Sequence, residues 1–372
     1  MAEWNRQVFG GTKMKKIVTF LLPFGGRNPG GGFKIVFEYA NRLINDYDVN
    51  IVFPATLLWK EQTLKEKIKG VVKYFYFRIF KNKYLPYNWF SLNKNIKLYW
   101  TPTLEEKYIP KSDYIFATAC QTAEYLNKYK LKVEKYYLIQ GYENWSFSEE
   151  RLLNTWKMPL KKIVIAFWLQ KKVEKIGEKV YLINNGLDFN KFGRDIYIEK
   201  RNPKSILLLY NEMEVKGFKY GLEAIKIVKE RYNNIEVNCF GTFRNPKNLP
   251  PWIKYYYSPS QKKLRELYNN ASIFVGTSLG EGWGLTVSEA MQCGCAIACT
   301  NVVGYNEFAF HNKNALLCES KNEKALAENI IKLISNNELR RTIADNGYFE
   351  IQQYTWEIAY GKLKHLLEQK EI

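Results

Sequence analysis

Histidine is nearly absent from this sequence, which has only His311 and His365 among its 372 residues. Two histidines are too few for a histidine-rich metal centre, and a Ser-His-Asp hydrolase site is hard to build from them. The sequence therefore predicts that any catalysis comes from other groups.

Cysteine is present, but neither a disulfide framework nor a zinc-ligand spacing is recognisable among the six residues. Cys293, Cys295 and Cys299 fall on a predicted helix end and an apolar strand, and His311 is the only histidine near them. Reduced, buried thiols in a cytoplasmic protein are the interpretation that we favour over a zinc site.

Long apolar runs are also missing. No segment approaches the roughly 20 apolar residues that a membrane-spanning helix needs. The apolar run that ends at Leu22 is short and is followed at once by Pro23, so we interpret it as a first core strand. Residues 1–13 are predicted to be an extension that the fold does not need.

Acidic residues are outnumbered, with 37 Asp and Glu against 56 Lys and Arg, which gives a net charge of +19. Such a chain is expected to bind a polyanion. The residues from Trp59 to Trp100 form a dense basic and aromatic insertion, here called the basic-aromatic segment. Its cations and aromatic residues include Lys65, Lys67, Lys69, Lys73, Tyr74, Phe75, Tyr76, Phe77, Arg78, Phe80, Lys81, Lys83, Tyr84 and Trp89.

Mixed cations and aromatic rings are typical of a segment that lies on an anionic membrane surface. The alternative is an aromatic helix that is buried against its own domain and keeps its lysines in water. A nucleic acid partner is disfavoured, because no helix-turn-helix, RNA-recognition or zinc-finger pattern is present.

Strand and helix patterns alternate along almost the whole chain, which predicts an α/β protein with parallel sheets. Two sets of these patterns predict two doubly wound, Rossmann-like domains that face each other across a cleft. The predicted parts are an extension at 1–13, a first domain at 14–187 with the insertion at about 59–100, a linker at 188–204, a second domain at 205–353, and a C-terminal helix at 354–372 that returns to the first domain.

The most informative motif is the block from Gly280 to Ala290, in which seven residues separate Glu281 from Glu289. A predicted strand leads into this glycine-rich turn, and a predicted helix leaves it at about Val287. Glycines free the backbone to approach a ligand, and a helix N-terminus stabilises an anionic leaving group. Carboxylates accept hydrogen bonds from hydroxyls. The arrangement therefore suits a sugar nucleotide.

The same residues allow a purely structural interpretation. The run from Thr286 to Glu289 fits a capping box, in which the Glu289 side chain bonds back to the Thr286 amide. In that case Glu281 is only an exposed carboxylate on a loop.

Two other turns are candidates for binding phosphate. Gly30 to Gly32 follows the first predicted strand, so its amides are expected either to meet a phosphate or acceptor or to form a packing turn. Lys216 and Gly217 lie between a predicted strand and a predicted helix. A lysine placed there can reach a diphosphate, with room provided by the glycine, or it can be a solvated loop residue.

With these motifs the chain resembles the retaining glycosyltransferases of family 4, which have the two-domain GT-B fold. In the second half the resemblance rests on Lys216-Gly217, Tyr220 to Ala224, Phe240-Gly241, Glu281 to Gly294 and Gly304 to Leu317. The first half is similar to a subgroup that acts in bacterial cell-surface polysaccharide synthesis, through Gly31 to Lys34, Phe37 to Leu43, Ala117 to Ala119, Thr122 to Glu124, Leu138 to Glu143, Asn185-Gly186 and Asp188.

The resemblance implies roles for the matching residues. Lys216 would neutralise the diphosphate, Glu281 would hold the donor sugar, and Glu289 would hold the ribose. The other implied donor-binding residues are Asn211, Gly217, Gly241, Gly282, Trp283, Gly284, Leu285 and Thr286. Those implied on the acceptor side or phosphate loop are Gly31, Gly32, Gln140 and Tyr142. The base is implied to lie near Phe240 to Thr242 and around Tyr257.

Three positions depart from the family pattern. Asn211 stands where many members carry an arginine, and it cannot supply that charge. Gly141 stands where relatives often have His or Asp, and Thr286 replaces a common proline. These departures predict weaker catalysis.

The resemblance implies metal-independent transfer with retention, in which the departing phosphate oxygen takes the acceptor proton and no cofactor is used. We therefore expect a cytoplasmic hexosyl- or deoxyhexosyltransferase on the inner face of the plasma membrane. Its partners would be a nucleotide-sugar donor and a lipid-linked glycan acceptor of capsule, O-antigen or cell-wall polysaccharide. The alternatives are a non-catalytic GT-B scaffold that binds membrane or partner transferases, and a sugar-nucleotide epimerase.

Overall fold

The computed structural model describes residues 14–57, 63–81, 84–144 and 147–369. The predicted extension at 1–13 lies outside the described residues, as do Trp59 and Lys83 of the basic-aromatic segment. Within these ranges no helix is both long and apolar enough to cross a membrane.

The first sheet among the described residues is parallel and has the strand order β3-β2-β1-β4-β5-β6-β7. Its strands are β1 (Ile17–Leu21), β2 (Asp48–Pro54), β3 (Lys97–Thr101), β4 (Tyr114–Ala117), β5 (Glu134–Ile139), β6 (Lys161–Val164) and β7 (Val180–Leu182). The helices of this half are α1 (Gly31–Leu43), α2 (Leu64–Ile79), α3 (Cys120–Asn127), α4 (Glu149–Trp156) and α5 (Phe167–Lys175). The central strands β1 and β4 are almost entirely apolar and buried, because strands inside a parallel sheet are covered on both faces.

The second sheet is also parallel and has the order β10-β9-β8-β11-β12-β13. Its strands are β8 (Ser205–Leu209), β9 (Glu236–Gly241), β10 (Ile253–Tyr257), β11 (Ile273–Gly276), β12 (Ala296–Thr300) and β13 (Leu316–Cys318). The helices are α6 (Phe218–Arg231), α7 (Gln261–Asn270), α8 (Leu285–Gln292), α9 (Glu323–Ser335), α10 (Asn337–Ile351) and α11 (Trp356–Glu368). Its core includes Leu208, Ile225, Val275, Ala298 and Ile330.

These two parallel-sheet, Rossmann-like domains confirm the predicted α/β fold class. The contacts of the chain divide it into one compact unit that ends at Tyr137 and another that begins at Leu138. This division precedes the predicted domain boundary at residue 187, because the last strands of the first sheet group with the C-terminal half.

The start of α11 contacts the end of the predicted first domain. The amide of Leu187 donates to the carbonyl of Tyr354 over 2.8 Å. A Cβ atom on Gly186 would lie 2.5 Å from the Trp356 ring, so no larger residue fits there. Both contacts lie within the unit that begins at Leu138.

Part of the basic-aromatic segment, Leu64–Ile79, forms helix α2. No residue of this described helix is buried, so the alternative of a helix buried against its own domain is wrong. One side is held to β3, since the Trp100 indole donates to the Tyr74 carbonyl over 2.9 Å and the Phe77 ring lies 5.2 Å from the Trp100 ring. The other side exposes large apolar groups, with Leu64 and Ile79 each 75% exposed.

Candidate functional site

Two neighbouring strands of the second sheet carry the candidate site. Strands β8 and β11 are adjacent and parallel, so the loops that leave their carboxyl ends lie at the same edge of the sheet. The loop after β8 carries Lys216, and the loop after β11 carries Glu281. The Lys216 ammonium and Glu281 Oε1 form an ion pair at 2.7 Å. The fold thus brings together the two residues that the sequence assigned to the reacting part of the donor.

Glu281 is held by a short polar network. The Ser278 hydroxyl donates to the same carboxylate oxygen over 2.7 Å, and the buried Tyr305 hydroxyl is hydrogen-bonded to Ser278. Burial raises the pKa of Tyr305, so this phenol stays protonated. The side chains of Glu281 and Lys216 remain 13% and 27% exposed, which leaves both within reach of a ligand. Ser278 was not predicted, although it precedes Glu281 by only three residues.

Packing inside the protein requires several glycines of the site. A Cβ atom on Gly282 would lie 2.0 Å from the Gln140 carbonyl oxygen, and one on Gly217 would lie 2.0 Å from the Thr277 carbonyl oxygen. Gly284 has φ +103°, and its Cβ would meet the Tyr305 ring at 2.5 Å. These positions need glycine because protein atoms already fill the space where a Cβ atom would lie, and their predicted contact with the donor stays a prediction.

Helix α8 begins earlier than predicted. Its first residue is Leu285 rather than about Val287, and its N-cap Gly284 supplies no side-chain acceptor to the first turn. Thr286 therefore lies inside the helix, where it cannot act as the N-cap of a capping box. The capping-box alternative is wrong. Glu289 is buried, and its Oε2 accepts a hydrogen bond from the Tyr268 hydroxyl over 3.2 Å.

Helix α5 supports the Glu281 loop through contacts that the sequence did not predict. The Trp168 indole donates to the Gly282 carbonyl over 3.0 Å. The backbone amide of Trp168 donates to a Glu307 carboxylate oxygen over 3.2 Å, so Glu307 supplies the acceptor that Ala166, the N-cap of α5, lacks. Periodicity cannot reveal such contacts, because the partners lie more than a hundred residues apart in the chain.

The other predicted donor-binding residues make hydrogen bonds or packing contacts within the protein. The Asn211 amide oxygen accepts from the Met213 backbone amide over 2.9 Å and so shapes the loop before Lys216. Gly241 ends β9, where a Cβ atom would lie 2.5 Å from the Tyr210 carbonyl oxygen. The Trp283 side chain is buried against Phe308 and Tyr354. Leu285 and Thr286 are half-buried in the first turn of α8.

The residues predicted on the acceptor side divide between the two units. Gln140 and Tyr142 follow β5, and the Tyr142 hydroxyl donates to a Glu149 carboxylate while Lys172 lies 4.5 Å from the Tyr142 ring centre. In the first unit, Gly31 and Gly32 open α1, whose N-cap Gly30 has no side chain to offer. Across the described ranges no group of three or more His, Cys, Asp and Glu residues is arranged to hold a metal ion.

The cysteines are six free, buried thiols, as predicted. Burial raises the pKa of the Cys295 thiol to about 11 and raises those of Cys239, Cys293, Cys299 and Cys318 as well. The thiolate is the reactive form. We therefore expect fewer than one thiol per native chain to react with a disulfide reagent at pH 8 within about ten minutes, and all of them after denaturation. A rapidly labelled thiol in the native protein would contradict this.

The raised thiol pKa values also predict a pH dependence of stability. Their contribution is fully present below the ordinary thiol pKa of 9.0 and is lost as the pH rises towards about 11, the pKa of Cys295 in the folded chain. Over that range the unfolded chain releases thiol protons that the folded chain keeps. Melting temperatures measured from pH 8 upwards should therefore fall above pH 9.

The chain has two parallel-sheet, Rossmann-like domains, and the loops that carry Lys216 and Glu281 leave adjacent strand ends. This architecture is the GT-B fold of glycosyltransferases. Residues 194–349 match the protein family described as Glycosyl transferases group 1. This segment contains β8 to β13 and the whole Lys216, Glu281 and Glu289 constellation. The similarity to this family is therefore confined to the second half of the chain and includes the candidate site.

Curated relatives carry glycosyltransferase names. The chain is 24% identical over 210 residues to the capsular polysaccharide biosynthesis glycosyltransferase CapM of Staphylococcus aureus, covering 50% of this chain and 55% of CapM. It is 28% identical over 167 residues to the N,N'-diacetylbacillosaminyl-diphospho-undecaprenol alpha-1,3-N-acetylgalactosaminyltransferase of Campylobacter jejuni, covering 44% and 43%. The chain thus spans about half the length of the curated relatives it matches.

Solved structures share the fold over nearly the whole chain. The Anabaena protein HepE, determined in complex with UDP-glucose, superimposes with a TM-score of 0.70 at 14% identity. The similarity covers 95% of this chain and all of the HepE chain. At this level of identity the similarity establishes the fold.

Proposed function

We propose that this protein is a metal-independent, retaining glycosyltransferase of family 4 that transfers a hexosyl or deoxyhexosyl group from a nucleotide-sugar donor to a bacterial cell-surface glycan. The observation that carries the proposal is the 2.7 Å pair of Lys216 and Glu281, built on adjacent strand ends beside a loop that runs into α8. Capsule synthesis by CapM, a diphospho-undecaprenol acceptor in Campylobacter and UDP-glucose in HepE support the substrate classes.

The site would act chiefly on the leaving group. Lys216 supplies a compact positive charge, and the first-turn amides of α8 have no side-chain cap, so both are able to stabilise the departing diphosphate. Glu281 and Glu289 accept hydrogen bonds from the donor sugar and the ribose. The departing phosphate oxygen takes the acceptor proton, so transfer with retention needs no protein base.

Donor binding is tested by thermal shift with UDP-, GDP-, dTDP- and ADP-sugars. A ligand that binds only the native state at a hundredfold excess over its Kd adds about 2.7 kcal/mol to the free energy of unfolding. One nucleotide class is expected to raise the melting temperature of the wild-type protein, and Glu289→Ala should abolish that rise. The matched control is Glu328→Ala, because Glu328 is an exposed glutamate on α9.

The outcomes separate the candidate functions. If none of the sugar nucleotides raised the melting temperature, the result would contradict the proposal and favour a non-catalytic scaffold. Release of nucleotide that requires an acceptor and yields a new glycan supports a transferase, whereas conversion of the sugar nucleotide without an acceptor indicates an epimerase or hydrolase.

We also propose that the enzyme works in the cytoplasm, held to the anionic inner face of the plasma membrane by α2. This helix carries Lys65, Lys67, Lys69, Lys73 and Arg78 against the single acidic residue Glu66. Its exposed apolar groups include Leu64, Ile68, Val72, Phe75 and Ile79. Cations attract anionic headgroups, and apolar groups enter the headgroup and acyl boundary, so the helix has both components of interfacial binding.

Membrane binding is tested by charge reversal. Lys65, Lys67 and Lys69 are exposed, whereas Lys73 donates to the Ala55 carbonyl over 2.7 Å and is best left in place. Each lysine near an anionic surface contributes about 1 kcal/mol, so replacing the three with Glu should lower the affinity for anionic liposomes, measured by sedimentation, by at least about a hundredfold.

The matched control reverses three exposed lysines on other helices, Lys324, Lys332 and Lys362, and changes the net charge equally. This variant should keep its liposome binding. Equal losses in both variants would indicate attraction by net charge alone, and unchanged binding of the α2 variant would refute the proposed role of that helix.

A further inference from the structure

A buried tyrosine lies directly behind the second carboxylate of the site. Tyr268 is in the last turns of α7, and its hydroxyl donates to Glu289 Oε2 over 3.2 Å. The tyrosine is 0% exposed and Glu289 is 6% exposed. The two residues come from helices on either side of β11, so only the folded domain brings them together.

The Tyr268 ring has no room to turn away from Glu289. It packs against the rings of Phe192, Phe240 and Phe274 at centroid distances of 5.7, 5.7 and 5.6 Å. The residue's own carbonyl accepts from the buried Arg201 guanidinium over 3.2 Å. The packing and the backbone bond together fix the direction in which the hydroxyl points.

The phenol acts as a donor under all ordinary conditions. Burial, with the nearby charge of Glu289 adding to it, raises the pKa of Tyr268 well above 10.0, so the proton stays on the hydroxyl. A carboxylate has only acceptors, and a donor fixed at one oxygen restricts rotation of the whole group. The orientation of Glu289 thus depends on a hydroxyl that is not itself exposed to a ligand.

We infer that Tyr268 is a positioning residue for nucleotide recognition, which orients the Glu289 carboxylate to receive the ribose hydroxyls of the donor. The inference rests on the proposed function, since it takes Glu289 as the ribose-binding group. It predicts that the Tyr268 hydroxyl contributes to binding of a ribonucleotide and contributes nothing to binding of a nucleotide that lacks the ribose hydroxyls.

The test is Tyr268→Phe, which keeps the ring and its packing and removes one oxygen atom. Calorimetric titration would use the nucleoside diphosphate of the class that stabilises the wild-type protein, together with its 2′,3′-dideoxy counterpart. The variant should bind the ribose form about tenfold more weakly, as expected for a lost hydrogen bond to a charged group. Its affinity for the dideoxy form should equal that of the wild type.

The matched control is Tyr129→Phe. Tyr129 is also buried, and its hydroxyl donates to the Leu104 backbone carbonyl in the other unit. Removing that hydroxyl takes away the same atom from a comparable environment, and both nucleotide affinities should stay unchanged. Melting temperatures of the ligand-free variants show that each chain folds.

Several results would overturn the inference. An equal loss of affinity for both nucleotides in Tyr268→Phe would indicate a purely structural role, and unchanged affinity for the ribose form would indicate no role. A wild-type protein that does not distinguish the ribose form from the dideoxy form also overturns it, while nucleotide binding itself survives. Failure of the wild type to bind any nucleotide would overturn the proposed function as well, so the two failures are distinguishable.

If Tyr268→Phe does not fold, a second variant tests the same inference. Phe192→Leu loosens the packing of the Tyr268 ring and leaves its hydroxyl in place. It should weaken binding of the ribose form by about twofold to threefold, less than the loss of the hydrogen bond itself, and should spare the dideoxy form. Equal weakening of both forms would again overturn the inference.

Discussion

Replacing Glu281 with Gln is expected to lower kcat/KM for glycosyl transfer by about a hundredfold while the chain stays folded, the range seen when one charge-stabilising group is removed from an active site. Gln keeps the size of the side chain and an acceptor oxygen, so it removes only the negative charge that pairs with the Lys216 ammonium at 2.7 Å. Lys216→Ala should cause a loss of similar size, because it removes the positive charge that the proposed mechanism places against the diphosphate. Initial rates at several donor concentrations measure both.

The control for this pair is Glu266→Gln. Glu266 also pairs with a lysine, Lys263, at 2.7 Å, but both members of this pair are exposed on the surface of α7. Surface pairs of this kind contribute little, so neither turnover nor stability should change. Unchanged turnover in Glu281→Gln or in Lys216→Ala would remove that residue from its assigned role.

The two residues should also couple. Since they contact each other directly, the double variant is expected to lose less activity than the product of the two single losses. Independent losses would show that the ion pair of the free protein has no part in donor binding.

Gly217→Ala is expected to lower the free energy of unfolding by about 3 kcal/mol or more. Gly217 has φ +62°, a conformation that costs an L-residue energy, and the added Cβ would lie 2.0 Å from the Thr277 carbonyl oxygen. The collision is with backbone, so no side-chain rotation relieves it. Because the glycine directly follows Lys216, the displaced loop should weaken donor binding too. Denaturant unfolding measures the first effect and calorimetry the second.

A second glycine separates strain from collision. Gly177 has φ +82° and no heavy atom within 4 Å of the position where a Cβ would lie. Gly177→Ala therefore introduces the same kind of backbone strain without a collision, and it should cost about 1 kcal/mol. Equal destabilisation by the two substitutions would show that the contact with Thr277 does not matter.

Most of the helices and strands could be predicted because their apolar periodicity is strong. The apolar runs from Tyr114 to Ala117 and from Leu316 to Cys318 predict two strands, and the structure has strands with these bounds. Strand β10 was missed because Tyr255, Tyr256 and Tyr257 follow one another without the alternation of apolar and polar residues that marks a half-buried strand. Its position at the edge of the sheet allows this pattern.

Helix α4 was missed for a different reason. It is only eight residues long, so it offers few repeats of the helical period. Its N-terminus did carry a signal, since Ser148 is the N-cap and acidic residues occupy the first turn. The apolar run from Ile163 to Phe167 predicts a strand, but Phe167 begins α5 instead.

The members of the candidate site were predictable, whereas their partners were not. Lys216, Glu281 and Glu289 lie in local patterns of strand, glycine turn and helix. Residues that are close together in the sequence form each of these patterns. Tyr268 and Trp168 act on this site from distant parts of the chain, through a hydroxyl on Glu289 and an indole on Gly282. A side-chain contact between distant segments does not change the apolar periodicity of the sequence, so one sequence alone does not reveal it.

The sequence by itself determined the fold class, the two sets of parallel strands and the carboxylates of the candidate site, because hydrophobic periodicity and turn chemistry are local properties of the chain. Only the tertiary structure decided between the alternatives that local patterns left open. It excluded the capping box at Glu289, because Gly284 is the N-cap and α8 begins at Leu285, before Thr286, and it excluded burial of α2. It also showed that the site glycines make room for carbonyls and rings of the protein, since which atoms meet a missing Cβ depends on the packing of distant segments.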